Sequence, residues 1–255
     1  MCGSLALRYN WNEGPTWIAS QNAFFFSNFT ISAGIDGDMI KFTPATGQCE
    51  VFIPDIGCNG LAVASDGTII AACHKSRTIM KVDPATKATS VVLSMLDGQM
   101  LDTPNDIVVH SNGTIYFTNP INDLGGRPPG YGSSVLRIDP LGQVSLVARG
   151  SPNGIALSPD ERRLYVVFMG VFDLDDTGAP LRNSGSFALG NDGIAVDCAG
   201  NVYEHGGTIH SPSGASVGRF PGGTNMSFGG PDAQLLLMVE GKGAHTVQMN
   251  LPGLP

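Results

Sequence analysis

The sequence predicts an all-β protein folded as a six-bladed β-propeller, and the prediction rests on composition, a repeated motif and the spacing of that motif. The 255 residues include 34 glycines and 17 prolines, while 42% are hydrophobic and only 14% are charged. Short apolar runs separated by glycine-rich turns are typical of all-β domains, and a disordered chain would be less hydrophobic and more charged. No window has sustained helical periodicity, so we expect little helix.

The repeated motif is a polar residue, usually a glycine, an apolar run, a tight turn and a second apolar run. Clear copies are NGLAVASDGTIIAAC, NDIVVHSNGTIYFTN, NGIALSPDERRLYVV and DGIAVDCAGNVYEHG. Each copy indicates an antiparallel hairpin. The six copies, of which the last is the weakest, begin at Glu13, Asn59, Asn105, Asn153, Asp192 and Asn225. Because such a unit can bury its faces only against neighbouring units, residues 1–255 are predicted to form one propeller domain.

Two longer segments interrupt the repeat, at residues 119–134 and 171–185. Insertions in a propeller tend to lie on one face, and loops above a channel mouth often shape a substrate pocket. The alternative is that both segments are plain surface connections.

Charge and cysteine content limit the partners and the compartment. A net charge of -8 argues against binding to a nucleic-acid backbone. No stretch is long and apolar enough to span a membrane, and the N-terminus has no signal-peptide pattern, so we expect a cytoplasmic protein that is a monomer or a small homo-oligomer. The five cysteines, Cys2, Cys49, Cys58, Cys73 and Cys198, form no CxxC pair, which predicts free thiols rather than disulfides or a zinc site.

The polar residues that open the six copies predict a ring of oxygen ligands. Equivalent positions in a closed propeller surround the central axis, so side chains far apart in sequence meet there. Carboxylate and amide oxygens suit a hard cation such as Ca²⁺, Mg²⁺ or Mn²⁺. Glu13 and Asp192 would balance a divalent charge in the channel. The alternative is that Asn and Asp before Gly are ordinary turn residues.

Four segments resemble the regucalcin (senescence marker protein)/gluconolactonase/luciferin-regenerating enzyme family, and the bacterial gluconolactonase-like branch in particular. They are EGPTW at Glu13, TPNDIVVHSNGTIYFT at Thr103, PNGIALSPDERRLYV at Pro152 and NDGIAVDCAGNVY at Asn191. The resemblance implies a six-bladed propeller with one catalytic divalent cation. Ca²⁺ is the expected ion, and Zn²⁺, Mn²⁺ and Mg²⁺ are the alternatives.

The same resemblance implies roles for individual residues. Glu13, Asn153 and Asp192 would hold the cation, and Asn105 would complete the site or orient the substrate and a water. Asn59 matches a channel-facing position that would contact the substrate.

The implied activity is hydrolysis of lactones, with the cation acting as a Lewis acid. Asp192 would deprotonate the attacking water or act as the nucleophile, and both roles stay open. An aryl-ester or organophosphate hydrolase with the same site and a non-catalytic calcium-binding propeller are the alternative functions. The HExxH, P-loop and GxSxG motifs are absent from the sequence.

A histidine and two tryptophans near these motifs also have expected roles. His74 ends an apolar run and could face the channel as a proton shuttle, or it could be a surface or structural imidazole. Trp11 and Trp17 flank Glu13, and we expect both to be packing residues.

Overall fold

Six antiparallel sheets form the computed structural model of this chain, which describes residues 7–30, 36–122, 124–187, 189–241 and 243–254. The sheets follow one another along the chain as the blades of a propeller, and within each blade the strands are paired in sequence order. The helix in the described residues is a 3-10 turn at Ala19–Gln21. The predicted all-β, six-bladed fold is therefore confirmed.

Each of the first three blades has four strands. Blade 1 contains β1 (Trp11–Ile18), β2 (Ala23–Phe29), β3 (Gly37–Thr43) and β4 (Gln48–Ile53). Blade 2 contains β5 (Cys58–Val63), β6 (Ile69–Cys73), β7 (Thr78–Val82) and β8 (Thr89–Leu93), followed by a small hairpin of β9 (Met95–Leu96) and β10 (Gln99–Met100). Blade 3 contains β11 (Ile107–Val109), β12 (Ile115–Asn119), β13 (Ser134–Ile138) and β14 (Val144–Arg149).

The remaining blades have four, four and three strands in the described residues. Blade 4 contains β15 (Ile155–Leu157), β16 (Arg163–Val166), β17 (Gly170–Leu174) and β18 (Pro180–Gly185). Blade 5 contains β19 (Ile194–Val196), β20 (Val202–Glu204), β21 (Thr208–His210) and β22 (Ser216–Arg219). Blade 6 contains β23 (Asn225–Gly229), β24 (Leu235–Glu240) and β25 (Gly243–Gln248).

The hydrophobic core consists of six clusters, and each cluster lies between two neighbouring blades. Successive side chains of a strand point to opposite faces, so one strand serves two clusters. In β2, Phe25 packs toward blade 2, while Phe24 and Phe26 pack toward blade 6. Burial on both faces explains why this strand is a continuous apolar run instead of an alternating one.

The first strand of each blade lines the central channel, and these six inner strands form a closed ring. Each inner strand contacts the inner strand of the next blade, and β23 of blade 6 contacts β1 of blade 1. A hydrogen bond joins each neighbouring pair of blades near the start of these strands. The six bonds run from Ser27 Oγ to Asn59 O, Gly60 N to Asn105 O, Ile155 N to Asp106 Oδ2, Asn153 Nδ2 to Asn191 O, Gly193 N to Thr224 O, and Thr224 Oγ1 to Asn12 O.

Close approach of the inner strands accounts for the glycine in the repeated motif. A Cβ atom on Gly154 would lie under 3.0 Å from the carbonyl oxygen of Asp192, and one on Gly60 would meet the backbone of Asn105 and Asp106 equally closely. The colliding atoms belong to backbone, which cannot rotate away. Only glycine therefore lets the blades close at these two positions.

One of the two predicted loops is instead part of a blade. Residues 120–133 do connect β12 to β13, as expected, but residues 171–185 contain β17 and β18. Two irregularities in the register of this pair hid its strand pattern, because they interrupt the alternation of the side chains.

The prediction of free thiols is wrong for Cys58 and Cys73, which form a disulfide. Their separation of 15 residues gave no hint of pairing, but the register of the β5–β6 hairpin places them directly opposite each other. Cys49 is also disulfide-bonded, Cys198 is free and exposed, and Cys2 lies outside the described residues. Among the described residues, no helix has the length and apolar character needed to cross a bilayer.

We expect Gly154→Ala to destabilise the protein because its methyl group would force the backbones of blades 4 and 5 apart. Overpacking of this kind costs about 1–3 kcal/mol. Gly206→Ala is the matched control, since a Cβ atom there would meet only the end of the Glu204 side chain at 3.7 Å. Urea unfolding should show a lower free energy of unfolding for Gly154→Ala only, and equal effects of the two substitutions would contradict the role of glycine in closing the ring.

Candidate active site

The predicted site residues lie where the six inner strands begin, and we call this ring the channel mouth. Glu13 lies within β1 and Asn59 within β5, whereas Asn105, Asn153 and Asp192 each stand two residues before an inner strand. Asn225 opens β23. The mouth therefore consists of Glu13, Asn59, Asn105, Asn153, Asp192 and Asn225. The repeat predicted this equivalence of positions correctly.

Glu13 is a buried carboxyl group with polar neighbours from several blades. Its side chain is almost fully enclosed, and Trp11 Nε1 donates a hydrogen bond to Oε1 at 3.1 Å. Burial raises the pKa of Glu13 well above its usual value, and the negative charge of Asp192 raises it further. The side chain of Asn225 offers a hydrogen bond that opposes this shift. Glu13 and Asp192, far apart in sequence, thus interact across the channel.

Asp192 lies at the same mouth with a partly exposed side chain. Burial raises its pKa to about 6, while the nearby His205 and a hydrogen bond with the side chain of Asn153 favour the ionised form. Asn153 also donates from Nδ2 to the carbonyl oxygen of Asn191 at 3.0 Å. The structure therefore brings Glu13, Asn153 and Asp192 together.

Asn105 and Asn59 lie on the neighbouring blades 3 and 2. The backbone of Asn105 is tied on both sides, since its N–H donates to Thr118 O at 2.8 Å and its carbonyl oxygen accepts from Gly60 N at 2.7 Å. Asn59 is buried, and its carbonyl oxygen packs where a side chain of Gly14 would otherwise lie. Asn59 is thus held beside the strand that carries Glu13, and Asn105 is held beside Gly60 of blade 2.

Asp106 is a third buried acid that the sequence prediction missed. It stands where other copies of the motif have a glycine, namely Gly60, Gly154 and Gly193. This departure from the motif was the signal in the sequence that could have identified Asp106. Its Oδ1 accepts a hydrogen bond from its own neighbour, Ile107 N, at 3.0 Å, and its Oδ2 accepts one from Ile155 N at 3.2 Å. Burial raises its pKa to about 7, and the charge of Asp192 contributes to the rise.

Asn225 links this third acid to the mouth. Its side chain hydrogen-bonds to both Glu13 and Asp106, and its Oδ1 accepts from Met226 N at 2.7 Å. Asn225, the predicted sixth member of the ring, therefore connects Glu13 and Asp106. It comes from the weakest copy of the motif.

The donor set fits a hard divalent cation. Burial is the largest cause of the raised pKa in each of the three acids, and a bound cation would supply positive charge that favours their ionised forms. Among the described residues, no cluster of three or more His, Cys, Asp or Glu side chains has the spacing of metal ligands. A site here would therefore consist of the carboxylates of Glu13 and Asp192 together with the amide oxygens of Asn153 and Asn105.

Two aromatic residues near the mouth differ in their roles. Trp17 is buried in the cluster between blades 6 and 1, as expected of a packing residue. Trp11 is only partly buried, and its indole N–H is committed to Glu13. The expectation for Trp11 is therefore incomplete, because its hydrogen bond orients a carboxylate of the mouth.

The loop of residues 120–133 is tied down along the blade 2 and blade 3 side of the mouth. The fully buried Asp102 accepts hydrogen bonds from Gly130 N at 2.6 Å and Gly132 N at 2.7 Å. Arg127 reaches from this loop to the carbonyl oxygens of His74 and Lys75, both at 3.0 Å. These bonds hold described parts of the loop against the end of β6.

A separate cavity of about 320 Å³ lies on the other side of the mouth, toward the turns that follow the inner strands. Its wall is mostly apolar and includes residues of all six inner strands and Leu254 of the C-terminal segment. Asp106 and Asn225 line it, whereas Glu13, Asn153 and Asp192 do not. The predicted cation ligands therefore lie outside the lining of this cavity.

Comparison with known proteins identifies relatives over most of the chain. Residues 11–241 match the model of the SMP-30/gluconolactonase/LRE-like region. A gluconolactonase from Zymomonas mobilis subsp. mobilis is 33% identical over a 273-residue alignment that covers 88% of this chain and 75% of the relative.

Solved structures show the same fold. A gluconolactonase from Xanthomonas campestris has a TM-score of 0.81 at 26% identity and covers 97% of this chain and 88% of its own. A calcium-binding regucalcin from Agrobacterium tumefaciens has a TM-score of 0.68 at 21% identity, with 90% of this chain and 81% of its own covered.

We expect the chelator-treated protein to lose stability as the pH rises from 6.5 to 8. Carboxyl groups with raised pKa values, such as Asp106 at about 7, keep protons in the folded state that the unfolded state has already lost, so deprotonation favours unfolding. The buried His74, whose pKa is lowered to about 4, contributes an opposite slope that is largest below pH 6.5 and fades above it, as the unfolded imidazole loses its proton.

The expected loss is about 1–3 kcal/mol, measured by urea unfolding across this pH range. Asp106→Asn should reduce the slope, and Glu50→Gln, an exposed acid of β4, should leave it unchanged. A chelated protein that becomes more stable across this range would contradict the buried, uncompensated acids.

Proposed function

The chain belongs to the SMP-30/gluconolactonase/LRE-like family, and from that membership we propose that it hydrolyses lactones with one divalent cation bound at the channel mouth. The single observation that carries the proposal is the convergence of Glu13, Asn153 and Asp192, which come from blades 1, 4 and 5, at one mouth where Glu13 is buried and the other two are partly exposed. Three acids with raised pKa values in a structural core would be costly without a function that uses them.

We propose that Glu13, Asn153, Asp192 and Asn105 hold the cation, with Ca²⁺ favoured over Zn²⁺, Mn²⁺ and Mg²⁺. All four ligands present oxygen, which Ca²⁺ prefers, and the site has no cysteine or histidine among them. The structural likeness to a calcium-binding regucalcin supports the same ion. When bound, the cation would polarise the lactone carbonyl and stabilise the negative charge that develops on its oxygen.

The side chains of the mouth then have distinct tasks. Trp11 fixes the orientation of the Glu13 carboxylate through its indole N–H, and Asn153 does the same for Asp192 through its amide. Asn105 and Asn59 line the side of the mouth nearest the loop of residues 120–133, where they orient the substrate. Rigid placement of these groups lowers the entropic cost of reaching the reactive geometry.

Asp192 is proposed to take the proton from the water that attacks the carbonyl carbon. It is the most exposed of the three acids, and both His205 and Asn153 favour its ionised, basic form. Asp192 then returns this proton to the ring oxygen of the lactone, which leaves as a hydroxyl group, and the product is a carboxylic acid that ionises in water.

The substrate class is proposed to be a lactone of a hydroxylated carboxylic acid. The curated relative and one of the solved structures are gluconolactonases, which supports this class. The mouth supplies several amide groups, Asn59, Asn105 and Asn225, that match the hydroxyl groups of such a substrate.

We expect Glu13→Gln and Asp192→Asn each to abolish lactone hydrolysis and to weaken Ca²⁺ binding by more than about 100-fold, since each removes half of the anionic charge that holds the cation. Ca²⁺ binding would be measured by calorimetry on chelator-treated protein, and hydrolysis by acid release from glucono-δ-lactone. Glu50→Gln should match the wild type in both measurements.

Circular dichroism should show that both mouth variants remain folded, because neither side chain belongs to a hydrophobic cluster. Retention of full activity in a folded Glu13→Gln or Asp192→Asn variant would overturn the proposed site.

The role of Asp192 as a base can be separated from nucleophilic attack by isotope labelling. A single turnover in H₂¹⁸O with enzyme in excess should put ¹⁸O into the released acid and leave the peptide that contains Asp192 unlabelled. A nucleophilic carboxylate would form a mixed anhydride with the acyl group of the opened lactone, and water attack on the Asp192 carboxyl carbon would label Asp192 and leave ¹⁶O in the first product. Mass spectrometry of the product and of the digested enzyme distinguishes the two.

A further inference from the structure

A buried histidine supports the predicted substrate residue Asn59. His74 follows β6, is almost fully enclosed, and has its Nε2 atom 3.4 Å from Nδ2 of Asn59. The edge of the Phe29 ring faces the imidazole, with ring centroids 5.9 Å apart. The imidazole is therefore confined between an aromatic ring and one amide of the channel mouth.

The chemistry of this contact is consistent with the orientation of the Asn59 amide, whose Nδ2 faces the imidazole. Burial and the charge of Arg127 lower the pKa of His74 to about 4, so the imidazole is neutral at pH 7. A neutral imidazole has one acceptor nitrogen, and an amide nitrogen can only donate. With Asn59 Nδ2 facing His74 Nε2, the acceptor is Nε2 and the proton is on Nδ1. A neutral, buried imidazole also favours the structural role of His74 over that of a proton shuttle.

The backbone around the pair is held in place from three directions. Arg127 donates from Nη2 to the carbonyl oxygen of His74 and from Nη1 to that of Lys75, both at 3.0 Å. Lys75 N donates to Gly57 O at 3.1 Å. The disulfide between Cys58 and Cys73 joins the residues that immediately precede Asn59 and His74. Neither side chain can therefore move far from the other.

We propose that His74 is a positioning residue that holds the Asn59 amide with its carbonyl oxygen toward the channel mouth, so that the mouth selects lactones carrying a hydroxyl group that donates to this oxygen. The inference rests on the proposed lactonase function. The backbone of Asn59 packs against Gly14, the residue after Glu13, so the Asn59 amide belongs to the part of the mouth next to a proposed cation ligand.

The selection follows from the cost of an unpaired polar group. A site arranged to receive a hydrogen bond from a substrate hydroxyl rejects an analogue without it, because a buried acceptor then remains unsatisfied. Without His74, the amide of Asn59 is free to rotate and loses its preference for a donor. The reaction itself would continue, since His74 touches neither the proposed cation ligands nor the carbonyl.

The test compares His74→Leu with His74→Gln on two lactones, glucono-δ-lactone and the unsubstituted δ-valerolactone. Leucine removes the acceptor, whereas the amide of glutamine reaches the position of Nε2 and can accept the same hydrogen bond. We expect His74→Leu to lower kcat/KM for glucono-δ-lactone about tenfold, chiefly through KM, and to change δ-valerolactone hydrolysis by less than about twofold. His74→Gln should restore the discrimination.

Binding supplies a readout that is independent of turnover. Glucono-δ-lactam and δ-valerolactam would be titrated by calorimetry into the Ca²⁺-loaded wild type, His74→Leu and His74→Gln. The wild type and His74→Gln should prefer the hydroxylated lactam about tenfold more strongly than His74→Leu does. Should His74→Leu fail to fold, Asn59→Leu removes the same amide and is expected to lose the same preference.

The outcomes separate this inference from the proposed function. A wild type that hydrolyses neither lactone contradicts the lactonase, whereas a normal wild type with equal losses on both lactones in His74→Leu contradicts the positioning role. His74→Gln behaving like His74→Leu, an unaffected His74→Leu, or a wild type without preference for the hydroxylated lactam would also overturn it.

Discussion

Closure of the ring of inner strands is the constraint on which the rest of this structure depends. A blade cannot bury both faces alone, and the six inter-blade clusters complete the core only when blade 6 meets blade 1. At the channel mouth, closure is tight enough that Gly60 and Gly154 can carry no side chain. Backbone hydrogen bonds between blades, such as Gly193 N to Thr224 O, then fix each strand against the next. The positions of the polar residues before these strands follow from that packing.

Tight closure has an electrostatic consequence. Acids that lie far apart in the chain are forced together away from water, and burial is the largest cause of the raised pKa in each of Glu13, Asp106 and Asp192. Separate acids of this kind would destabilise an ordinary core. In the proposed function the bound cation offsets this cost, so that the energy of closing the propeller prepares the site before any substrate arrives. Loss of the cation would destabilise the whole ring of inner strands, because the same strands carry both the acids and the inter-blade hydrogen bonds.

The repeated motif predicted both the fold and the ring of polar residues at its start, because equivalent positions in a closed propeller must meet at the axis. The ring residues predicted in this way include Glu13, Asn105, Asn153 and Asp192. Features that depend on a departure from the repeat were missed. Asp106 replaces a glycine and forms a link between blades that no local pattern reveals. The Cys58–Cys73 disulfide depends on hairpin register, and β17–β18 was hidden by its irregular pairing. The hydrogen bond from Trp11 to Glu13 is likewise a matter of side-chain geometry that spacing alone does not determine.

The mouth is uneven although the fold that builds it is regular. Blades 1, 4 and 5 supply Glu13, Asn153 and Asp192, the charged side where the proposed chemistry occurs. Blades 2 and 3 supply the neutral amides Asn59 and Asn105 beside the buried Asp106, and there a long loop, held by Asp102 and Arg127, reaches back across a neighbouring blade. Among the described contacts, His74 and Asn59 share no hydrogen bond with the acids. Substrate contacts made by these two residues can therefore change without disturbing the charge balance at Glu13 and Asp192. Because Arg127 binds the backbone of His74, the loop is coupled to the Asn59 amide through His74, and differences in this loop between relatives should alter substrate choice sooner than they alter the reaction.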